Sequence, residues 1–106
     1  MYVENKVIDE MGNVLKIVGD PTRIKILLCF MDELDKEGPF VEKCVNDISN
    51  QLGISQSLTS HQLKVLKDSD LVKTRKEATK IYYSLKDEHV QQIIKITFEH
   101  VTEREL

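Results

Sequence analysis

A mainly α-helical domain carrying one small β-hairpin is the fold class that this chain of 106 residues predicts, on three observations. Apolar residues recur at helical spacing through most of the chain. A glycine joins two short helical segments near its middle. Two runs rich in β-branched and aromatic residues lie side by side around residue 80. With 41% apolar residues the chain reads as one domain, residues 1–106, large enough for its own core and small enough to gain from dimerisation. No apolar run approaches the roughly 20 residues of a membrane span. Met1 opens onto Glu4, Asn5 and Lys6 and not onto a signal sequence, so a cytoplasmic protein with no membrane partner is expected.

The elements follow in order. Val7, Met11, Val14, Leu15 and Val18 make a helical stripe over residues 5–18, which Gly19 ends. Asp20 is a natural N-cap with Pro21 at the first helical position, and Ile24, Leu27, Leu28 and Met31 supply the stripe of a second helix, PTRIKILLCFMDEL. Cys29 in that segment reads as a small core residue, and Cys29 and Cys44 are too few for a disulfide scaffold. Asp35–Phe40 is charged, holds Gly38 and Pro39, and reads as an exposed loop.

Val45, Ile48 and Leu52 form the inner face of a short helix, Gly53 permits a left-handed residue after it, and Ser55 caps the next helix. On that next helix Leu58, Leu63 and Leu66 are expected to face inward. Two short helices joined through LGIS describe a helix-turn-helix whose second member fits a DNA major groove. Its expected outer face carries Gln56, Ser57, Thr59, Ser60, His61 and Lys64. Glutamine and serine can bond base edges, Lys64 suits a phosphate, and the free N–H groups at the helix start favour phosphate too. His61 is either a DNA contact or a structural histidine bracing the helix.

Val72–Ala78 and Lys80–Leu85 then predict a hairpin with its tip at Glu77–Lys80, from which Lys73, Arg75, Lys76 and Lys80 project. A basic hairpin directly after a helix-turn-helix is a wing, able to reach the backbone or minor groove. The net charge of −3 conceals this asymmetry: Ser55–Lys86 holds seven cations against three anions, +4, which leaves −7 elsewhere. One face suits phosphate and the rest avoids it.

The last helix, expected from Asp87 to Glu103, has its stripe at Val90, Ile93, Ile94, Thr97, Phe98 and Val101. His89 and His100, 11 residues apart, share a side of this helix. They are nevertheless about 16 Å apart along its axis, too far for one ion. Two antiparallel copies would bring residue 89 of one beside residue 100 of the other, twice by symmetry. With Asp87 and Glu103 close by, each site would offer two imidazoles and two carboxylates, donors suited to tetrahedral zinc.

GDPTRIKIL at Gly19–Leu27, ISQSLTSHQLKVLKDSDLV at Ile54–Val72 and IYYSL at Ile81–Leu85 resemble the ArsR/SmtB family of winged-helix metal-responsive repressors, from about residue 10 onward. The zinc-sensing branch of that family carries Asp-x-His, ten residues, then His-x-x-Glu on its C-terminal dimer helix. Asp87, His89, His100 and Glu103 fill every position of that pattern. Members sensing cadmium, lead or arsenic use Cys-x-Cys-Asp before the turn, where this chain has Cys44-Val45-Asn46-Asp47, and one thiol does not make that site. The wing tip also lacks the glycine common in the family.

The resemblance implies a winged helix-turn-helix homodimer, joined through the first and last helices, that binds double-stranded operator DNA and lets go when Zn(II), or Co(II), binds between the last helices. No small organic substrate is implied. Ligation needs neutral imidazoles, so the response is expected to fade as pH falls below about 6.5. An enzyme is not expected, since there is neither an HExxH helix nor a nucleophile with its base. The alternative is a winged-helix repressor answering a thiol, soft-metal or protein signal, with the helix histidines incidental.

Overall fold

The computed structural model describes residues 1–31 and 40–104. Among these, five helices and a hairpin run in the order α1 (Asn5–Val18), α2 (Pro21–Leu28), α3 (Val45–Leu52), α4 (Gln56–Asp68), β1 (Val72–Glu77), β2 (Lys80–Leu85) and α5 (Glu88–Thr102). Of the loop expected at Asp35–Phe40, all but Phe40 lies outside the described residues.

Local chemistry explains the boundaries. Asp20 caps α2, its Oδ2 accepting from the Arg23 N–H at 3.1 Å, and Pro21 opens the helix where its missing N–H costs nothing. The helix stops at Leu28, short of the expected run through Leu34, of which Asp32–Leu34 lie outside the described residues. Its exit tightens: the N–H groups of Cys29, Phe30 and Met31 donate to Ile26, Leu27 and Leu28 at 3.0, 3.2 and 3.1 Å. This tight turn keeps Cys29 and Phe30 in the core. Cys29 Sγ donates to the Lys25 carbonyl, and burial pushes the thiol's pKa up, which keeps it an unreactive core residue.

Gly53 adopts φ 66° and ends α3, and Ser55 Oγ accepts from the Leu58 N–H at 3.0 Å to begin α4. At the far end of α4, Asp70 takes φ 61°, and the Leu71 and Asp70 N–H groups return to the Leu66 and Lys67 carbonyls at 2.9 and 3.0 Å. That pattern closes a helix on a left-handed residue, and the accompanying apolar pair, Leu66 and Leu71, is buried. The chain turns from there straight into β1.

The core lies among α2, α3, α4, the base of the hairpin and the first half of α5, with Ile26, Leu27, Phe30, Ile48, Leu63, Leu66, Val72 and Leu85 fully buried. Helix α2 is its hub, packing against α1, α3, α4 and α5. The hairpin is antiparallel, in register from Val72↔Leu85 to Glu77↔Lys80. Lys43 adds an isolated bridge to Tyr83, with N–H···O bonds of 2.9 and 2.8 Å in both directions, anchoring the entry to α3 on the wing.

Two expectations on α4 are corrected. Thr59, expected outside, is fully buried, and its hydroxyl donates to the Ser55 carbonyl at 2.8 Å; Leu58, expected inside, is 39% exposed. Thr59, Leu63 and Leu66 stand at i, i+4 and i+7, and this is the stripe the core takes up. Thr59→Val is expected to lower the unfolding free energy by about 1 kcal/mol through the lost hydroxyl bond, measured by thermal denaturation. DNA sequence preference should not change, because the side chain does not reach the surface.

The missing glycine at the wing tip has a visible consequence: Ala78 adopts φ 54°, a left-handed conformation that strains any side-chain-bearing residue. Ala78→Gly should relieve that strain and, after glycine's greater unfolded-state entropy is subtracted, stabilise the fold by about 0.5 kcal/mol in denaturant titration.

Candidate nucleic-acid interface and metal centre

Burial of one face of α4 leaves the opposite face free. Gln56, Ser57, Ser60, His61 and Lys64 are all exposed, and at i, i+4 and i+8 Gln56, Ser60 and Lys64 form a continuous row. Lys64 Nζ meets Asp68 Oδ2 at 2.8 Å, a pairing that holds its ammonium pKa above the usual lysine value. The wing stands beside this face: a groove of about 520 Å³ is lined by Ser60 of α4, by Asp47 and Cys44 at the start of α3, and by Lys80 and Tyr83 of β2.

The wing's cations divide between its two faces. Strand alternation and the register put Lys73, Arg75 and Lys80 on one face and Lys76 on the other. Arg75 differs from the three lysines. Its Nε donates to Glu42 Oε2 at 2.9 Å, its Nη1 to Glu77 Oε2 at 2.8 Å, and its guanidinium lies 4.8 Å from the centre of the Tyr82 ring. The same bond draws the Glu42 carboxyl below its usual range. Arg75, expected as a DNA contact, also braces the wing, tying the strand to the segment before α3 while its side chain stays 50% exposed. Its composition as one of four cations in VKTRKEATK gave no hint of this, because Glu42 is distant in sequence.

Asp87 is the N-cap of α5, with Oδ1 accepting from the Val90 N–H at 3.3 Å and Oδ2 facing His89 Nδ1 at 3.7 Å. The His89 side chain is 87% exposed. His100 stands in the last turn and Glu103 at the C-cap, both exposed. The four candidates therefore form two pairs at opposite ends of one helix. Among the described residues no three of His, Cys, Asp and Glu come together within the chain. Two imidazoles and two carboxylates fit zinc in donor type and number, but only with one pair taken from each of two chains.

Between those pairs runs an uncovered apolar surface. The first half of the α5 stripe is buried through Val90 and Ile94, but Phe98 remains 48% exposed. Phe98, Thr97 and Val101 line a cavity of about 380 Å³ whose opposite wall is Leu15, Ile24 and Leu28. On α1, Val7, Ile8, Met11 and Leu15 are exposed as well. A contiguous apolar patch built on two helices is the form of a protein contact surface.

At the N-terminus of α3 the half-buried Cys44 donates through Sγ and through its backbone N–H to Asp47 Oδ2, both at 3.0 Å, and these bonds draw the Asp47 carboxyl below its usual range. Among the described residues no helix is long and apolar enough to cross a membrane.

Comparison with known proteins agrees with this fold. A cadmium resistance transcriptional regulatory protein CadC homolog from Staphylococcus aureus is 39% identical over 94 residues, covering 89% of this chain and 72% of that protein. A transcriptional repressor SmtB homolog from Synechocystis is 32% identical over 94 residues, covering 89% of this chain and 65% of that one. Among solved structures, reduced HlyU from Vibrio cholerae matches with a TM-score of 0.70 at 31% identity, over 86% of this chain and 87% of its own. The homodimeric winged helix-turn-helix DNA-binding domain Mb0332 from Mycobacterium bovis matches with a TM-score of 0.78 over 97% of this chain and 92% of its own; at 23% identity it speaks for the fold alone. Residues 20–74, from the cap of α2 into β1, match the family of bacterial regulatory proteins described as arsR. The chain belongs to the arsR family, whose members are transcriptional regulators and not enzymes.

Proposed function

We propose that this chain is a cytoplasmic, single-domain repressor that binds double-stranded operator DNA as a homodimer and releases it in response to Zn(II), with Co(II) as a second candidate ion. The observation that carries this reading is the position of two donor pairs at the two ends of an apolar helix face that none of the described residues covers. Pairing α1 and α5 with their copies would bury that face. An antiparallel arrangement of α5 would bring Asp87 and His89 of one subunit to His100 and Glu103 of the other, twice over.

In DNA binding, Gln56, Ser57, Ser60 and His61 would face base edges, while Lys64, Lys73, Lys76 and Lys80 would face phosphates. Lys64 would exchange Asp68 for phosphate. Arg75 would hold the wing's orientation through Glu42 and Glu77. A dimer spaces its two α4 helices by the way its dimer helices pack, and a two-fold operator accepts them only when they lie about one DNA turn apart.

Zinc(II), when held by the four donors, supplies a cross-link between the two α5 helices. The chain's own part in release is to hold two dimer arrangements, only one of them fitting DNA, and to present the complete donor set in the other. Reciprocity then requires operator DNA to weaken metal affinity by the same factor. A 100-fold effect corresponds to about 2.7 kcal/mol of coupling.

A second reading keeps the repressor and assigns the trigger to a thiol, soft-metal or protein signal. Cys44 with its contact to Asp47 is the observation behind it. Band shifts on wild type and His89→Ala separate the two. On the zinc reading, wild type loses operator affinity at least 10-fold on adding zinc, whereas His89→Ala binds DNA as wild type does and no longer responds. Release of both proteins by zinc, or of neither, would overturn the assignment to α5.

A further inference from the structure

The helix that carries part of the dimer surface, α1, and the helix that carries the exposed polar row, α4, each pack on α2. One side chain of α2 bonds to both. Arg23 Nε donates to Gln62 Oε1 on α4 at 2.7 Å, and its Nη1 donates to the Ile17 carbonyl in the last turn of α1 at 3.3 Å. Both Arg23 and Gln62 are partly buried. The Ile17 carbonyl is one of the four at a helix C-terminus that have no partner within the helix, and a cation there is further favoured by the helix dipole. Gln62 lies on the flank of α4, between the buried stripe of Thr59, Leu63 and Leu66 and the exposed row of Ser60, His61 and Lys64.

A guanidinium presents its donors in fixed directions within one plane, so two simultaneous bonds constrain the two helices it joins. Apolar packing of α4 on the core is non-directional and tolerates small rotations about the helix axis. A rotation of about 20° shifts side chains at the helix surface by roughly 2 Å. Such a shift breaks hydrogen bonds to base edges, which need donor–acceptor distances of about 2.7–3.2 Å.

We propose that Arg23 is a positioning residue for DNA binding: by bonding Gln62 and the Ile17 carbonyl together it sets the rotation of α4 relative to the end of α1. The proposal rests on α4 being the DNA-reading helix, but it involves no metal. It also assigns Gln62 a role distinct from that of its exposed neighbours, since its carbonyl oxygen is spoken for by Arg23.

The test uses Arg23→Met, Gln62→Met and the double variant of the full chain, with a duplex selected by wild-type protein from a random-sequence pool and an unselected duplex beside it. Affinity is measured across a salt series, and thermal unfolding confirms that each variant is folded. The expected result is about a 10-fold loss on the selected duplex for either single variant, no further loss in the double, and little change on the unselected duplex. The slope of log affinity against log salt should stay at the wild-type value, because no phosphate contact is removed. Three results would overturn the proposal: losses that add in the double variant, wild-type affinity in either folded single variant, or a slope reduced by about 0.9 in Arg23→Met, which would make Arg23 itself a phosphate contact. Should Arg23→Met fail to fold, Gln62→Met alone still decides, through its affinity for the two duplexes. Failure of wild type to select any duplex would instead refute α4 as a reading helix and the proposal with it.

Discussion

The burial of Ile26, Leu27 and Phe30 at and just after α2 is the constraint on which the remaining architecture depends. A helix of eight residues has too little backbone cooperativity to stand alone, so its stability comes from packing. Here that packing is with four other helices at once. Each of them takes its orientation from the same small apolar centre. The two working surfaces, the exposed row on α4 and the uncovered face of α1 and α5, are what remains once that centre is satisfied.

On α4 this subtraction is strict. A helix that buries residues 59, 63 and 66 must expose residues 57, 60, 61 and 64, because a period of 3.6 leaves no other choice. The polar row is therefore turned to solvent by hydrophobic packing on the far side of its own helix, while the bond from Arg23 to Gln62 limits its rotation. The wing is held differently. Only its base, Val72, Ser84 and Leu85, enters the core, and its outer half depends on ladder hydrogen bonds, on the Lys43 bridge and on Arg75 between two carboxylates and a ring. Exposed ion pairs of this kind contribute little to stability, so their effect is on orientation. The chain thus sets a rigidly seated helix beside a more lightly anchored hairpin. That suits contacts of two kinds, base edges with tight geometry and phosphates that a lysine can follow.

The uncovered apolar face is a cost that a solitary chain would carry. Val7, Ile8, Met11 and Leu15 of α1 and Phe98 of α5 expose apolar area at about 25 cal/mol per Å² of lost stabilisation, a penalty that the proposed pairing with a second copy would remove. Within the chain α5 reaches α4 along two routes, through α2 and through the hairpin, so α5 and the exposed row on α4 are parts of one packed unit.

Element order, the caps at Asp20 and Ser55, the left-handed turn at Gly53 and two strands meeting at a tip near Glu77–Lys80 were legible from the residues alone, all set within a few residues by backbone sterics and hydrogen bonding. The placing of Asp87, His89, His100 and Glu103 at the two ends of α5 was legible too, since spacing on one helix is a local property. Only the tertiary structure decided that Thr59 goes inside and Leu58 partly out, that α2 stops at Leu28, that Arg75 is occupied by Glu42, and that Arg23 joins α1 to α4. The physical reason is common to all four. Each outcome depends on which surface the rest of the chain brings opposite, and periodicity along a helix or strand carries no record of that partner.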